Sequence, residues 1–501
     1  AGAGGGAGSG GGGAGAAGRV GGDVRVCFTT KIDAYRVTET PFAVPARLTR
    51  RGLSEVINHL LDLEKPIPFD FLVDGRFLRT SLAKFLRRQG MSGESIVTLE
   101  YAPAFRAPKQ DLEMPHPDWV GAVDATPRFI ASGCYDGSAR LYNAAGEVVA
   151  TVGSAHKRPI RGVSVSEAVD GYDVVLATAA KDGTLALFGG TAAAAKRGGG
   201  GGDVRLQQLL SCVGHTNSVD AVAVDPVGSK LVSGSWDGTM CLWSTDPEAS
   251  PAAGGDEEGE ADAGEGGGRK RGRGGAGASA PKRVAPLATA KEHNQAVTSV
   301  VWPSPLVLAS GSHDHSVRIW DMGRGELEVS QTLHGNKVVT GLAVSPNGAS
   351  LATAHPDRVI RLWDPRASGA TVVQMALRGH EAWVTGVAWA PFTDFLLAST
   401  SHDKSVRLWD IRASRPLHTM GAHDDKALAV AWQAGADGGA DGAFVVSGGA
   451  DKKVRRFAMR GAAGGDDDSD DDAAAGAGSG VAGADATHSD SDSAASSADD
   501  E

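Results

Sequence analysis

A chain of 501 residues has room for two or three domains, and its 70 glycines point to low-complexity segments beside them. The net charge of −11 is no property of the whole: residues 461–501 hold eleven Asp and one Glu without Lys or Arg, so this tail carries −12 and the remainder sums to +1. That balance excludes a broadly basic nucleic-acid binder; no run reaches the ~18 apolar residues of a membrane helix, and Cys27, Cys134, Cys212 and Cys241, without a CxxC or a signal-peptide pattern, fit a reducing compartment better than a disulfide or zinc framework.

Residues 1–22 are Gly and Ala apart from Ser9, Arg19 and Val20, with few side chains to bury, which predicts disorder. Residues 23–106 have the pattern of a small folded unit. Asp23 to Ile32 alternates like a strand, and Pro41 to Pro45 holds a second extended piece. Leu53, Val56, Ile57, Leu60 and Leu61 fall on one helical face, with Ser54 expected as the N-cap and Glu55 in the first turn. Phe69 to Val73 reads as a strand entering the Asp74-Gly75 turn. Leu82, Phe85 and Leu86 suggest a short helix, and Ser95 to Tyr101 a closing strand. This order fits a ubiquitin-like β-grasp. Residues 107–115 are expected to be a linker.

From there the chain repeats. Asp403 stands six residues before Trp409, and the same offset recurs at Asp136/Tyr142, Asp182/Phe188, Asp237/Trp243, Asp314/Trp320, Asp357/Trp363 and Asp451/Phe457. Asp suits a tight turn because its carboxylate bonds nearby backbone N–H groups, and the residues after it, such as Val406 and Leu408, suit a strand. About twenty residues or more before each Asp sits a His: His116, His156, His215, His293, His334, His380 and His423. Gly-His pairs followed by Trp-Asp at this period are the signature of WD40 blades of four strands, and residues 112–460 resemble that family. Seven such units predict a seven-bladed β-propeller, all-β, over 116–460.

That resemblance implies a hydrogen-bonded network within each blade. It carries over onto His215, Asp237 and Trp243, and onto His380, Asp403 and Trp409 with Ser401 as the expected hydroxyl. Seven equivalent copies argue for scaffolding, since an active site needs one constellation. Blade 5 departs from the pattern because its Gly follows the His, as His334-Gly335. Phe188 and Phe457 lack the indole donor. The strand that closes the ring is left open between residues before His116 and residues from Ala458 onward.

Two long spacings mark insertions, at about 189–203 and 245–283, expected as loops between the third and fourth strands of blades 2 and 3. The second turns from acidic to basic at Arg269, Lys270, Arg271 and Arg273. Nuclear import, contact with rRNA and a merely solvated loop all fit such a cluster. The tail at 461–501 is expected to be disordered and acidic, with Ser469, Ser489 and Ser491 beside Asp or near it, as acidophilic kinases require.

The runs Arg51 to Leu61, Pro66 to Gly75, Leu78 to Leu82 and Leu99 to Tyr101, followed by the repeats, resemble the WD-repeat ribosome-biogenesis family whose members work with pescadillo and the Bop protein; Notchless proteins carry a related N-terminal domain. The resemblance implies a nucleolar and nucleoplasmic, non-enzymatic assembly factor for the large (60S) subunit and its rRNA maturation. The propeller would bind a Bop-type WD protein and pescadillo on pre-60S particles. The ubiquitin-like domain would dock on midasin, a large AAA ATPase, and Glu94 would ligate the Mg²⁺ of midasin's adhesion site, with Asp74 as the rival acid. A hard Mg²⁺ ion takes oxygen ligands and keeps positions open for such a carboxylate. No cofactor of the chain's own is implied, and no G-x-S-x-G, P-loop or H-E-x-x-H is present. Trp119, Lys337, Trp383 and Lys426, taken as equivalent positions after each blade's His, are the candidate partner-binding side chains of the propeller's face; packing of the two Trp between blades is the competing reading. Two other functions stay open: a substrate-receptor or scaffold in a ubiquitin-ligase or signalling complex, and a Notchless-type factor, a family that usually has eight repeats.

Overall fold

The computed structural model describes residues 22–459 except 64–65, 92–94, 106, 154–155, 168, 170, 193–203, 254–280, 367–372, 413–415, 436–438 and 440–441. The chain divides into two compact units at residue 463, and the second, the acidic tail with Ser469, Ser489 and Ser491, lies outside the described residues, as do residues 1–21.

Strands β1 (Asp23–Thr29), β2 (Phe42–Pro45), β3 (Phe69–Val73), β4 (Arg76–Phe77) and β5 (Val97–Pro103) form one sheet in the order β2-β1-β5-β3-β4, with β1 and β5 parallel at its centre. Helices α1 (Arg50–Leu61) and α2 (Leu82–Gln89) supply apolar side chains to its core, where Val26, Phe28, Leu53, Ile57, Phe69 and Leu99 are wholly buried. This is a β-grasp. Thr49, not Ser54, is the N-cap of α1. Ser54 sits one turn inside the helix, where its hydroxyl bonds Arg50 O at 2.9 Å and accepts Phe69 N–H at 3.0 Å. Its polarity ties helix to strand and does not start the helix.

Seven further sheets come next, and their first strands begin at Val120, Ile160, Val219, Val297, Gly341, Val384 and Ala427. Each first strand touches the first strand of the next sheet, and that of the seventh touches that of the first, so the ring closes as a propeller. The aromatic that ends a third strand fills the gap to the preceding blade: Trp409 is buried among residues of blades 5 and 6, and Trp243 among those of blades 2 and 3. Truncating one such Trp would cost about 3–5 kcal/mol.

The stretch expected as a linker is not one. Residues Lys109–Pro115 form β6, which pairs antiparallel with Lys453–Ala458 and is the outer strand of blade 7. Ring closure therefore comes from residues before His116. The insertions are also shorter than the spacings suggest. Residues 189–192 belong to the third strand of blade 2, Thr184–Ala192, because they pair with Val204 to Gln207. Lys282 and Arg283, expected in the loop of blade 3, belong to a strand (Lys282–Val284) that pairs in parallel with Leu210 to Cys212 and gives blade 2 a fifth strand.

Candidate functional site

On one face of the ring, the loop leading into each first strand lies against the turn between the second and third strands. The backbone shows this directly: Tyr135 N–H bonds Trp119 O at 2.9 Å, Trp236 bonds Ser218 O at 2.9 Å, His402 bonds Trp383 O at 2.9 Å and Ala450 bonds Lys426 O at 2.8 Å.

Beneath this face sit the histidine networks. His380 joins Ser399 Oγ through Nε2 at 2.7 Å and Asp403 through Nδ1 at 2.8 Å, and Trp409 Nε1 donates to the same Ser399 hydroxyl at 2.7 Å. The hydroxyl is therefore Ser399. Ser401, two residues on, faces the turn, where it accepts Asp403 N–H at 3.1 Å and bonds Ala382 O. Blade 3 repeats the arrangement with His215, Ser233, Asp237 and Trp243.

The two networks shift their imidazoles in opposite directions. Burial pushes the His380 imidazole down, and Arg407 near Asp403 adds to this, so the bond from Asp403 does not restore it. In blade 3 the place of Arg407 is taken by Cys241. Burial there is outweighed by the bonds to Asp237 and Cys241, which raise His215 to about 9. Burial also pushes Asp237 and Asp403 up, but their imidazole and turn hydrogen bonds win and hold both well below the usual carboxylate range.

Blade 5 keeps the network by a different route. Gly335 N–H bonds His315 O at 2.8 Å, as His423 N–H bonds Lys404 O at 3.0 Å, so Gly335 occupies the backbone place of the blade histidine and His334 is exposed beside it. The imidazole comes instead from His355 on the second strand's end, which meets Thr353 Oγ1 and Val338 O at 2.7 Å each. Trp363 Nε1 completes it on Thr353 at 2.7 Å. Asp357, without a His, forks onto Arg361.

The same register corrects one candidate. Thr298, Thr340 and Thr385 occupy equivalent places, bonding Val339 O, Val384 O and Ala427 O where the next blade's first strand begins, so Val338, not Lys337, matches Trp383. With Gly335 in the histidine's place, the third residue on is Val338, and a count that starts from His334 stops one residue short. Lys337 and Lys426 are both exposed. Trp119 is 39% and Trp383 57% exposed, each ring lying on the turn residue of its own blade, Tyr135 at 5.5 Å and His402 at 5.7 Å between centroids. Sequence reasoning missed Trp236, 47% exposed, whose Nε1 donates to Asp220 at 2.8 Å and whose ring meets His313 edge-on. The position just before the turn aspartate, occupied by Tyr135, Trp236, His313 and His402, was the signal to follow.

Glu94 lies outside the described residues, as do Arg269, Lys270, Arg271 and Arg273. The flanks of Glu94 are defined. Helix α2 closes at Gly90, whose φ of 68° suits a residue without Cβ, and β5 opens at Val97 just after the exposed Ile96. Leu72 faces Glu100 across the sheet, which carries the exposed Asp74 to the end where α2 hands over to β5. The chain leaves for the propeller from the other end. Among the described residues no group of three or more His, Cys, Asp or Glu is placed to hold a metal ion, and no helix is long and apolar enough to cross a membrane.

Comparison with known proteins accounts for both domains. The NLE (NUC135) domain family matches residues 24–86. The WD domain, G-beta repeat, matches 109–143, 206–244, 285–321, 327–364 and 371–410. Each repeat match opens in or just before an outer strand and ends at or just past the third strand of the next blade. The third strands outside these matches are those that hold Phe188 and Phe457. Along its length the chain is 38% identical over 452 residues to "Ribosome biogenesis protein WDR12 homolog" of Chlamydomonas reinhardtii, covering 87% of this chain and 97% of that protein. The chain belongs to the WDR12 family of ribosome biogenesis proteins. Homologs of the same name from Oryza sativa subsp. japonica (37% over 441 residues, 86% and 95% covered) and Arabidopsis thaliana (35% over 439, 86% and 96%) match over the same extent. The WDR12 match thus spans the β-grasp and the propeller together.

Proposed function

We propose that this chain is a non-enzymatic assembly factor of the large ribosomal subunit, whose propeller binds a Bop-type WD protein, and through it pescadillo, while its β-grasp domain is docked and pulled by midasin to release it from pre-60S particles. The observation that carries this reading is the joint match of both domains, in order, to WDR12 proteins along nearly their whole length. Seven blades and the long blade 3 insertion favour it over a Notchless-type factor. In this reading Glu94 is the ligand offered to the partner's Mg²⁺, and Asp74 is its rival; the chain needs no cofactor of its own. The work of release comes from the ATPase, and the exposed Trp119 and Trp383 with Lys426 anchor the Bop-type partner. The basic run at Arg269 to Arg273 serves import into the nucleus.

A ubiquitin-mimic reading is less well supported, because the sheet face opposite the helices is already engaged. Glu100 on that face contacts Arg412 of blade 6 at 3.7 Å, and Asp70 and Leu72 beside it are buried. The test is an Mg²⁺-dependent pull-down of the full chain on midasin's adhesion-site domain. Wild type should bind and lose binding in chelator; Glu94→Ala should not bind, while Asp74→Ala should. Retained binding by Glu94→Ala would remove the ligand assignment.

A further inference from the structure

In five blades the third and fourth strands are consecutive along the chain, and in blade 3 the strand Lys282–Val284 comes between them. In the seventh they are β6 and Lys453–Ala458, with the rest of the propeller between them. Charge stands where the turn is missing. Arg456 grips Asp111 with Nη2 at 2.7 Å and Nε at 3.1 Å, while its Nη1 donates to Ala144 O in blade 1. Lys453 Nζ meets Glu113 at 2.8 Å, and Arg455 Nε lies 3.2 Å from the same carboxylate, near enough to attract it though off the line of a hydrogen bond. Among the described residues, no other blade joins its third and fourth strands by ion pairs between them.

The β-grasp domain is attached at the loose end of this closure. Five residues separate Pro103 of β5 from Lys109 of β6. Phe105, within them, packs against the core of blades 6 and 7, and its carbonyl meets His418 Nε2 at 3.0 Å on the outer strand of blade 6. Lys109 faces Ala458 and Gln110 faces Phe457; the register then shifts at Asp111, and the pairing resumes from Leu112 through Glu113 to Pro115. A pull on the domain arrives first at the Glu100–Arg412 and Phe105–His418 contacts and next at the Lys109 end of β6. From that end an antiparallel strand is peeled bond by bond, whereas a pull along its axis would load every bond at once.

We propose that β6 is a latch, and that load on the β-grasp domain peels it from Lys453–Ala458 and opens the propeller ring between blades 7 and 1. This rests on reading that domain as the point of pull and adds where the load goes. Opening would part Arg456 from Ala144 and uncouple blade 7 from blade 1, so a partner spanning those blades would lose its seat as the ring opens.

The test is force spectroscopy on the full chain, tethered through Glu55→Cys on α1 and Val227→Cys on blade 3, in a Cys27→Ser background. The first event in wild type should be a short lengthening of about 40 Å, the contour of some twelve residues. The double variant Asp111→Asn/Glu113→Gln should give the same step at lower force. A staple made by Lys109→Cys with Ala458→Cys should abolish it until reductant is added. A first event as long as an unfolding β-grasp domain, at one force in wild type and double variant, would overturn the latch. If the short step is present but midasin does not bind the chain, the latch stands and the ATPase reading falls.

Discussion

His355 and Thr353 stand two residues apart where the second strand of blade 5 gives way to its turn, and their side chains meet at 2.7 Å beneath Trp363. The other networks draw their imidazole from the loop before the first strand; here the residue just past the second strand supplies it. His355→Ala leaves Val338 O without its buried imidazole partner and Thr353 with Trp363 Nε1 but no imidazole, and should cost about 2–3 kcal/mol. His334→Ala, at an exposed side chain, should stay within about 0.5 kcal/mol. Urea denaturation of the two variants checks the pair.

The pH profile of stability is set by the same histidines. Burial pushes His116 and His355 down to about 4 from 6.5. The unfolded chain then binds more protons than the folded one between those values, so both groups withdraw stability as pH falls from about 6.5 to 4. His215, raised to about 9, acts oppositely: its contribution is present below 6.5 and lost as pH rises through 9. Denaturation midpoints across pH 4–10 should show His355→Gln flattening the acid limb and Asp237→Asn flattening the alkaline one.

Trp383→Ala removes an exposed ring that rests on His402. Stability should change by less than about 0.5 kcal/mol. Affinity for the Bop-type partner should fall about tenfold or more if the ring is an interface anchor. Calorimetric titration against thermal denaturation of the same samples separates the two effects.

Val284 is buried at 1% where the blade 3 insertion returns to pair with blade 2. Val284→Asp places an unpaired carboxylate there and should cost about 3 kcal/mol or more. Lys282→Ala, on the same strand but exposed, should be close to neutral. Denaturant midpoints decide, and equal effects would mean that the fifth strand does not hold the two blades together.

The link between domains is modest. Glu100 and Arg412 are 28% and 17% exposed and 3.7 Å apart, a pair worth about 0.5–1 kcal/mol. Glu100→Gln should therefore speed undocking of the β-grasp domain about two- to fivefold without altering either fold. Fluorescence transfer between labels at Glu55→Cys and Val227→Cys reads it.

What was legible in the sequence was whatever repeats. The six-residue step from turn aspartate to strand aromatic located seven third strands, because a turn and a buried ring impose fixed residue types. β6 was hidden because an outer strand buries little: of its seven residues only Met114 is buried, and KQDLEMP reads as polar connector. His355 was hidden because its neighbour His334 stood in the expected window. The hydroxyl was misplaced by two residues because Ser399 and Ser401 alternate onto the same face of one strand, and only depth beneath the turn distinguishes them.

β6 also sets an order of events during synthesis. It is the first propeller strand to be made, and its partner, beginning at Lys453, is nearly the last; Asp111 waits 345 residues for Arg456. At about 5–20 residues per second the wait is roughly 20–70 s, during which a strand edge stands unpaired beside a β-grasp domain that can already fold. A chain cut short anywhere in blade 7 leaves that edge open for good. Completion of the ring thus doubles as a sign that translation has passed Ala458, and a nascent copy short of it carries its own mark of being unfinished.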